Sequence, residues 1–223
     1  MLTDTETLRT AGYRTGIRWA DTGEAIRIAQ QVTGHGDVVR QPWLTLPSVA
    51  ALVRRPALVN AVADVIGADI ALEGGFLLIK WPGADFRVPW HQDGAGDGVE
   101  LDPNRSVTVW VALTAATAAN GALHVIPGSH RLGYLPTRRE DPHGGRHGRA
   151  LTTVVPPGGP EPVVVEVPAG EAALMDVRLL HSSPPNTTDQ PRVGLNLRCV
   201  APGAVTRRDG LKPQLYPIAG PSW

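Results

Sequence analysis

The chain of 223 residues has a single cysteine, Cys199, only two phenylalanines and three tyrosines, and no excess of charge of either sign, since 21 basic residues balance 21 acidic ones. Each shortage excludes something. One cysteine cannot form an intramolecular disulfide and fits a reducing compartment, so a cytoplasmic location is expected. Zero formal net charge gives no electrostatic reason for binding nucleic acid or a membrane surface. No apolar run approaches the roughly 20 residues of a membrane-spanning helix. The segment Met1-Leu2-Thr3-Asp4-Thr5-Glu6 lacks the basic and apolar regions of a signal peptide. A soluble intracellular protein acting on a small molecule, as a monomer or homodimer, is the expectation. What the chain has in quantity is glycine, 25 residues, and proline, 21, a content that suits many turns better than a helical protein.

The pattern along the chain changes once. The first 20 or so residues are polar and weakly patterned, and Asp21 to Gln31 predicts a short helix. From Ser48 to Ile66 apolar residues (Val49, Leu52, Val53, Leu58, Val59, Val62, Val65, Ile66) recur at helical spacing. Ser48 is the expected N-cap, Pro56 divides or kinks the helix, and Gly67 supplies the stop. Strands are then expected over Asp69 to Leu72, Phe76 to Trp81, Ser106 to Thr114, Ala122 to Ile126, Val163 to Val167, Ala172 to Asp176 and Arg192 to Ala201. Their β-branched content and Pro/Gly/Asn punctuation predict an antiparallel barrel. The fold class expected is mainly β, a cupin-like double-stranded β-helix or jelly roll, with N-terminal helices packed on the major sheet. The whole chain is taken as one domain: 1–67 mainly helical, 68–201 the jelly-roll core, 202–223 a C-terminal extension.

Two motifs far apart carry the chemistry: Trp90-His91-Gln92-Asp93, and His181 followed eleven residues later by Arg192. Two imidazoles and one carboxylate can occupy one face of an octahedral Fe(II) and leave three positions open. A 2-oxo acid fills two of these through its carboxylate and keto oxygens, and O2 fills the third. If the acid is 2-oxoglutarate, its far carboxylate calls for a bidentate guanidinium, and Arg192 is the candidate. Side chains at i and i+2 of a strand share a face, so His91 and Asp93 can reach one ion while Gln92 points away or along the rim. The turn-rich segment from Ser182 to Pro191 allows the chain to reverse and return Arg192 on an adjacent antiparallel strand.

From about Leu46 to Ala201 the chain resembles the phytanoyl-CoA dioxygenase family of Fe(II)/2-oxoglutarate oxygenases. The resemblance rests on Lys80-Trp81-Pro82-Gly83, Val88-Pro89-Trp90-His91-Gln92-Asp93 and Val107-Thr108-Val109-Trp110-Val111-Ala112-Leu113. It continues through Asn120-Gly121-Ala122-Leu123, Ile126-Pro127-Gly128-Ser129-His130, His181-Ser182-Ser183-Pro184-Pro185-Asn186 and Pro191-Arg192. It implies His91, Asp93 and His181 as metal ligands and catalytic centre, Arg192 and Ser183 as holders of the distal 2-oxoglutarate carboxylate, and Gln92 and Trp110 as residues lining the cosubstrate pocket. Thr108 shares a strand face with Trp110 and joins the candidates. Related halogenases carry a small residue where this chain has Asp93, so hydroxylation or another two-electron oxidation is implied, cyclisation and desaturation included, and halogenation is disfavoured. The compact size and composition resemble tailoring oxygenases of bacterial antibiotic and other natural-product pathways.

Two loops are expected to select the substrate. Residues from Gly94 to Asp102 are acidic and glycine-rich, and favour a cationic or hydroxyl-rich molecule, amino-acid-like or aminoglycoside-like, over a fatty acyl thioester. Residues from Tyr134 to Ala150, with several Arg and Gly, read as a lid or as an ordinary solvated loop. His130 is expected to be structural, behind the barrel, and His124 partly buried or pocket-lining. His35, His143 and His147 have no assigned role. Trp81 and Trp90 are candidate core anchors, and Lys80 is expected to be solvated rather than paired with a carboxylate. A zinc-dependent cupin-type hydrolase or isomerase is the alternative, although it has no use for Arg192; a binding module without metal affinity is a third.

Overall fold

The computed structural model describes residues 4–96, 98–141, 146–147 and 151–223. The N-terminal part contains α1 (Asp4–Ala11), β1 (Tyr13–Arg18), α2 (Thr22–Val32), β2 (Val38–Arg40), α3 (Pro47–Leu52) and α4 (Pro56–Ile66). Then follow β3 (Ile70–Lys80), β4 (Phe86–His91), β5 (Ala95–Gly96), β6 (Val99–Leu101), β7 (Ser106–Ala112) and β8 (Leu123–Val125). After these come β9 (Thr137–Arg139), β10 (Arg146–His147), β11 (Leu151–Thr153), β12 (Val163–Val165) and β13 (Glu171–Met175). The chain finishes with β14 (His181–Ser183), β15 (Arg192–Val200), β16 (Val205–Arg207) and β17 (Tyr216–Ala219).

The major sheet runs β1-β13-β7-β15-β3-β17, with β2 also paired to β3, and the minor sheet runs β10-β4-β14-β8-β12. Strict alternation gives each major strand two jobs. On β7, Val107, Val109 and Val111 join the core beneath the helices, and on β15 so do Val193, Leu195, Leu197 and Cys199. The intervening residues, Trp110 and Ala112 on β7 with Ala173 and Met175 on β13, meet Leu123 and Val125 of the minor sheet. The helices supply Ala25, Ile28, Val49, Leu52, Leu58 and Val62 to the outer core. The molecule is therefore a mainly β, double-stranded β-helix with helices on one face of its major sheet. Cys199 lies within that core, where burial pushes its thiol up to about 12.

Several expectations are corrected by this arrangement. The weakly patterned N-terminus forms α1 and an edge strand, β1, antiparallel to β13. Edge strands have one unpaired side and need little apolar periodicity, which is why Tyr13–Arg18 gave no signal. Ser48 is not an N-cap: α3 starts one residue earlier at Pro47, whose fixed φ and missing N–H suit the first helical position. Pro56 starts the next helix in the same way, and Gly67 ends it at φ 91°. The two strands expected between Asp69 and Trp81 are one, β3, and its pairing with β15 skips Glu73. Within the C-terminal extension, β16 pairs with β6 and β17 with β3. Among the described residues no helix is long and apolar enough to cross a membrane.

Candidate functional site

Between the two sheets lies a cavity of about 580 Å³, within the range that holds a small organic ligand. His91, Asp93, His181, Ser183, Trp110 and Arg192 all line it. His91 ends β4 and stands directly opposite His181 on antiparallel β14, so the 90-residue separation in sequence closes to 3.9 Å between ring centroids. Asp93 sits in the turn just beyond β4, where the strand's alternation still aims it at the imidazoles. Its carboxylate oxygens are 3.4 Å from His91 Nε2 and 3.6 Å from His181 Nε2. One ligand atom from each residue falls within 4.8 Å of the others, and all three residues are buried.

The surroundings orient these groups. His91 Nδ1 lies 2.8 Å from the Pro89 carbonyl and His181 Nδ1 2.9 Å from that of Leu179. A carbonyl only accepts, so each Nδ1 donates and each Nε2 is directed toward the common point, the orientation a metal ligand requires. Asp93 Oδ2 accepts from Thr108 Oγ1 and Asn196 Nδ2, both at 3.0 Å. Thr108 thus braces Asp93 and is not among the residues that line the cavity. Asn196 was not singled out from the sequence, although the period of two from Arg192 along β15 points to it.

Arg192 is completely buried, and that burial lowers its pKa to about 10. Its Nη2 donates to the Gly121 carbonyl at 2.9 Å, and its guanidinium lies 5.3 Å from the Trp110 ring centroid. Nε and Nη1 are buried without a hydrogen-bond partner among the described residues. A buried cation with two unsatisfied donors facing a cavity fits a carboxylate that arrives with a ligand. The chain brings Arg192 there differently from the expectation: β14 belongs to the minor sheet and β15 to the major one, so the segment between them passes from one sheet to the other instead of forming a hairpin. Asn186 holds that crossing, donating to the carbonyls of Lys80 at 2.9 Å and Gln190 at 2.7 Å.

Gln92 does not line the cavity. Its amide donates to the Gly133 and Arg178 carbonyls and accepts from Leu135 N–H, on the far side of the turn. Alternation with His91 and Asp93 turns it away. Lys80, expected in solvent, is fully buried and donates to the carbonyls of Phe86, Ser183 and Pro184. His130 is buried, with Nε2 beside the Arg9 carbonyl, and is remote from the triad's contacts. His124 is partly buried and does not line the cavity; Trp81 packs against the outer core. In the acidic loop, Glu100 pairs outward with Arg208 and Asp102 accepts from the Asn104 N–H, so neither carboxylate lines the cavity. Asp97 lies outside the described residues, as do 142–145 and 148–150 of the expected lid, whose ends are paired as β9 with β11.

Comparison with known proteins agrees with the site. The family model described as phytanoyl-CoA dioxygenase (PhyH) matches residues 5–194. An ectoine dioxygenase of Bordetella parapertussis is 28% identical over 165 residues, 67% of this chain and 52% of its own. An L-proline trans-4-hydroxylase of Streptomyces griseoviridis is 32% identical over 160 residues, 64% of this chain and 59% of its own. The chain thus spans about half the length of the curated relatives it matches. Among solved structures, the non-heme monooxygenase ThoJ superposes with a TM-score of 0.82 at 25% identity, covering 97% of this chain and 84% of that one. The epimerase SnoN, solved with Fe3+ and alpha ketoglutarate, gives 0.75 at 20% identity over 98% and 94% of the two chains, a likeness of fold. Iron and 2-oxoglutarate fit the residues present here, through the oriented imidazoles, the braced carboxylate and the unsatisfied guanidinium. With a family match across most of its length and that donor set in its central cavity, this chain belongs to the phytanoyl-CoA dioxygenase family.

Proposed function

We propose that this protein is an Fe(II)/2-oxoglutarate-dependent oxygenase that oxidises an unactivated C–H bond of a small polar molecule, an amino-acid-like compound or natural-product intermediate. His91, Asp93 and His181 would hold the metal, and Arg192 with Ser183 the far carboxylate of 2-oxoglutarate. The observation that carries the proposal is the buried guanidinium of Arg192, with Nε and Nη1 unsatisfied, in the same cavity as the triad. The bound iron and cosubstrate supply the oxidation, in which O2, 2-oxoglutarate and a substrate C–H become succinate, CO2 and a C–OH.

The chain's own residues bind, orient and exclude. Thr108 and Asn196 fix the Asp93 carboxylate, and the Pro89 and Leu179 carbonyls fix both imidazoles. Trp110, at 2% exposure, closes the floor beneath Arg192 and keeps water from the ion pair it is assigned. The named activities of the relatives, ectoine dioxygenase and L-proline trans-4-hydroxylase, agree with a small polar substrate.

The test is succinate formation from 2-oxoglutarate under O2 with added Fe(II), across amino acids and related small molecules. The expected outcome is substrate-stimulated succinate release that is lost in His91→Ala. Arg192→Met should raise the 2-oxoglutarate requirement at least about tenfold while metal binding persists, the loss of a charge-assisted bidentate contact. Turnover of a substrate without O2 and 2-oxoglutarate would point instead to the hydrolase or isomerase alternative.

A further inference from the structure

Among the described residues the outer half of the cavity carries Arg40, Arg198 and Glu73, and the chemistry assigned to its inner end does not use their excess positive charge. Resting on the oxygenase assignment for the inner end, we propose that the substrate is an acid whose anionic group is received at the mouth by Arg40 and Arg198. β2 places Arg40 directly opposite Phe76 of β3, and Phe76 stands opposite Asn196 of β15, so these residues form one cross-strand row on the cavity face. The guanidinium carbons of Arg40 and Arg198 lie 5.1 Å and 5.5 Å from the Phe76 ring centroid. The ring holds both cations at the opening without neutralising them.

The charges leave one cation over. Glu73, the residue skipped where β3 pairs with β15, is aimed at Arg198 and accepts from its Nε at 2.6 Å. Gly74 lets Arg198 lie flat there, because a Cβ at that position would stand 2.0 Å from Arg198 Nη2. Arg40 has no carboxylate partner among the described residues. At the inner end, a ferrous ion and Arg192 balance the Asp93 carboxylate and the 2-oxoglutarate dianion, and Glu73 balances Arg198. Among the described residues Arg40 is then the unmatched charge of the loaded cavity, and a substrate with one negative group completes it.

The backbone beside Arg40 is held in a costly conformation. Gln41, the next residue, has φ 46° and ψ 53°, and it is the one non-glycine residue with positive φ among the described residues. Its N–H donates to the Gly75 carbonyl at 2.9 Å. Such strain persists where surrounding structure imposes it, and here it fixes the strand end that carries Arg40. Val38, Leu78 and Val99 line the same region, so the acid needs an apolar body as well as its charge.

The experiment uses protein loaded with Zn(II) and 2-oxoglutarate, which fills the inner end without turnover, and measures calorimetric binding of benzoate, phenyl phosphate and the neutral benzamide. The expected result is that one of the two anions binds at least about tenfold more tightly than benzamide, the gain of one charge-assisted contact, and the better anion identifies carboxylate or phosphate as the group recognised. Arg40→Gln should abolish the preference and leave 2-oxoglutarate affinity within about twofold; Arg40 is exposed, so the fold does not depend on it. Benzamide binding as well as both anions, or a preference that survives Arg40→Gln, overturns the assignment. Failure of the zinc-loaded protein to take up 2-oxoglutarate would instead overturn the oxygenase assignment, and the same comparison of anions with benzamide would still decide the role of Arg40.

Discussion

Lys80 Nζ is buried beside three carbonyl oxygens and, among the described residues, no carboxylate. Nζ donates to Ser183 O at 2.9 Å, to Phe86 O at 3.3 Å and to Pro184 O, which ties β3 to the two strands that carry His91 and Ser183. Burial, and then the neighbouring charge of Arg192, lower its pKa from 10.5 to about 6. Between those values the unfolded chain binds a proton that the folded chain does not. Stability should therefore fall as pH is lowered from 10.5 toward 6, by up to about 1.4 kcal/mol per pH unit from this residue, and stay level in this respect below 6. Urea titrations of wild type and Lys80→Met across that window should show the extra slope in wild type alone; parallel curves would mean that Lys80 does not titrate there. At this scale the sequence was partly legible. Residue types and an i, i+2 spacing pointed to His91 and Asp93, but the burial of Lys80 had no local signal, because the carbonyls that accept from it come from residues 6, 103 and 104 positions away.

Strand β15 does the most at the scale of elements. Its odd residues pack beneath the helices, while Arg192, Asn196 and Arg198 line the cavity. Gly194, between Arg192 and Asn196 on the same face, is bare for a reason: a Cβ there would lie 2.6 Å from Trp110 Cζ2 and 3.0 Å from Arg192 Nη1. Gly194→Ala should displace the guanidinium and weaken 2-oxoglutarate binding roughly tenfold. Zn(II) affinity should change by less than about twofold, because the triad lies on other elements. Calorimetry on the zinc-loaded variant separates the two effects, and unaltered 2-oxoglutarate binding would mean that the cavity accommodates the methyl group by moving Trp110 alone. The strand and its alternation were readable from Arg192 to Ala201, yet its partner was not. Turn formers between Ser182 and Pro191 announce a reversal, and nothing in them says whether the returning strand joins the same sheet or the opposite one.

Across the whole molecule the candidate metal ligands come from two adjacent strands of the minor sheet and the turn after one of them, while Thr108 and Asn196, the supports of Asp93, come from the major sheet. Filling the site therefore clamps the sheets together. With free ligand near 100 times its dissociation constant, binding adds about 2.7 kcal/mol to folding, which for a chain of this size is a rise in Tm of roughly 5–10 °C. Zn(II) with 2-oxoglutarate should produce that shift in a thermal melt of wild type, and His181→Ala should abolish it; an equal shift in the variant would place metal binding elsewhere. The sequence by itself determined the helices α2 to α4, the longer strands of the major sheet and the donor inventory, because periodicity, proline and residue chemistry act over a few positions. Only the tertiary structure decided that His91 faces His181, that Arg192 reaches the site from the opposite sheet, and that Glu100 and Asp102 turn away from the cavity. Those outcomes depend on which strands pair and in what register, and that is set by how the two apolar faces close on each other between residues as far apart in sequence as Tyr13 and Met175.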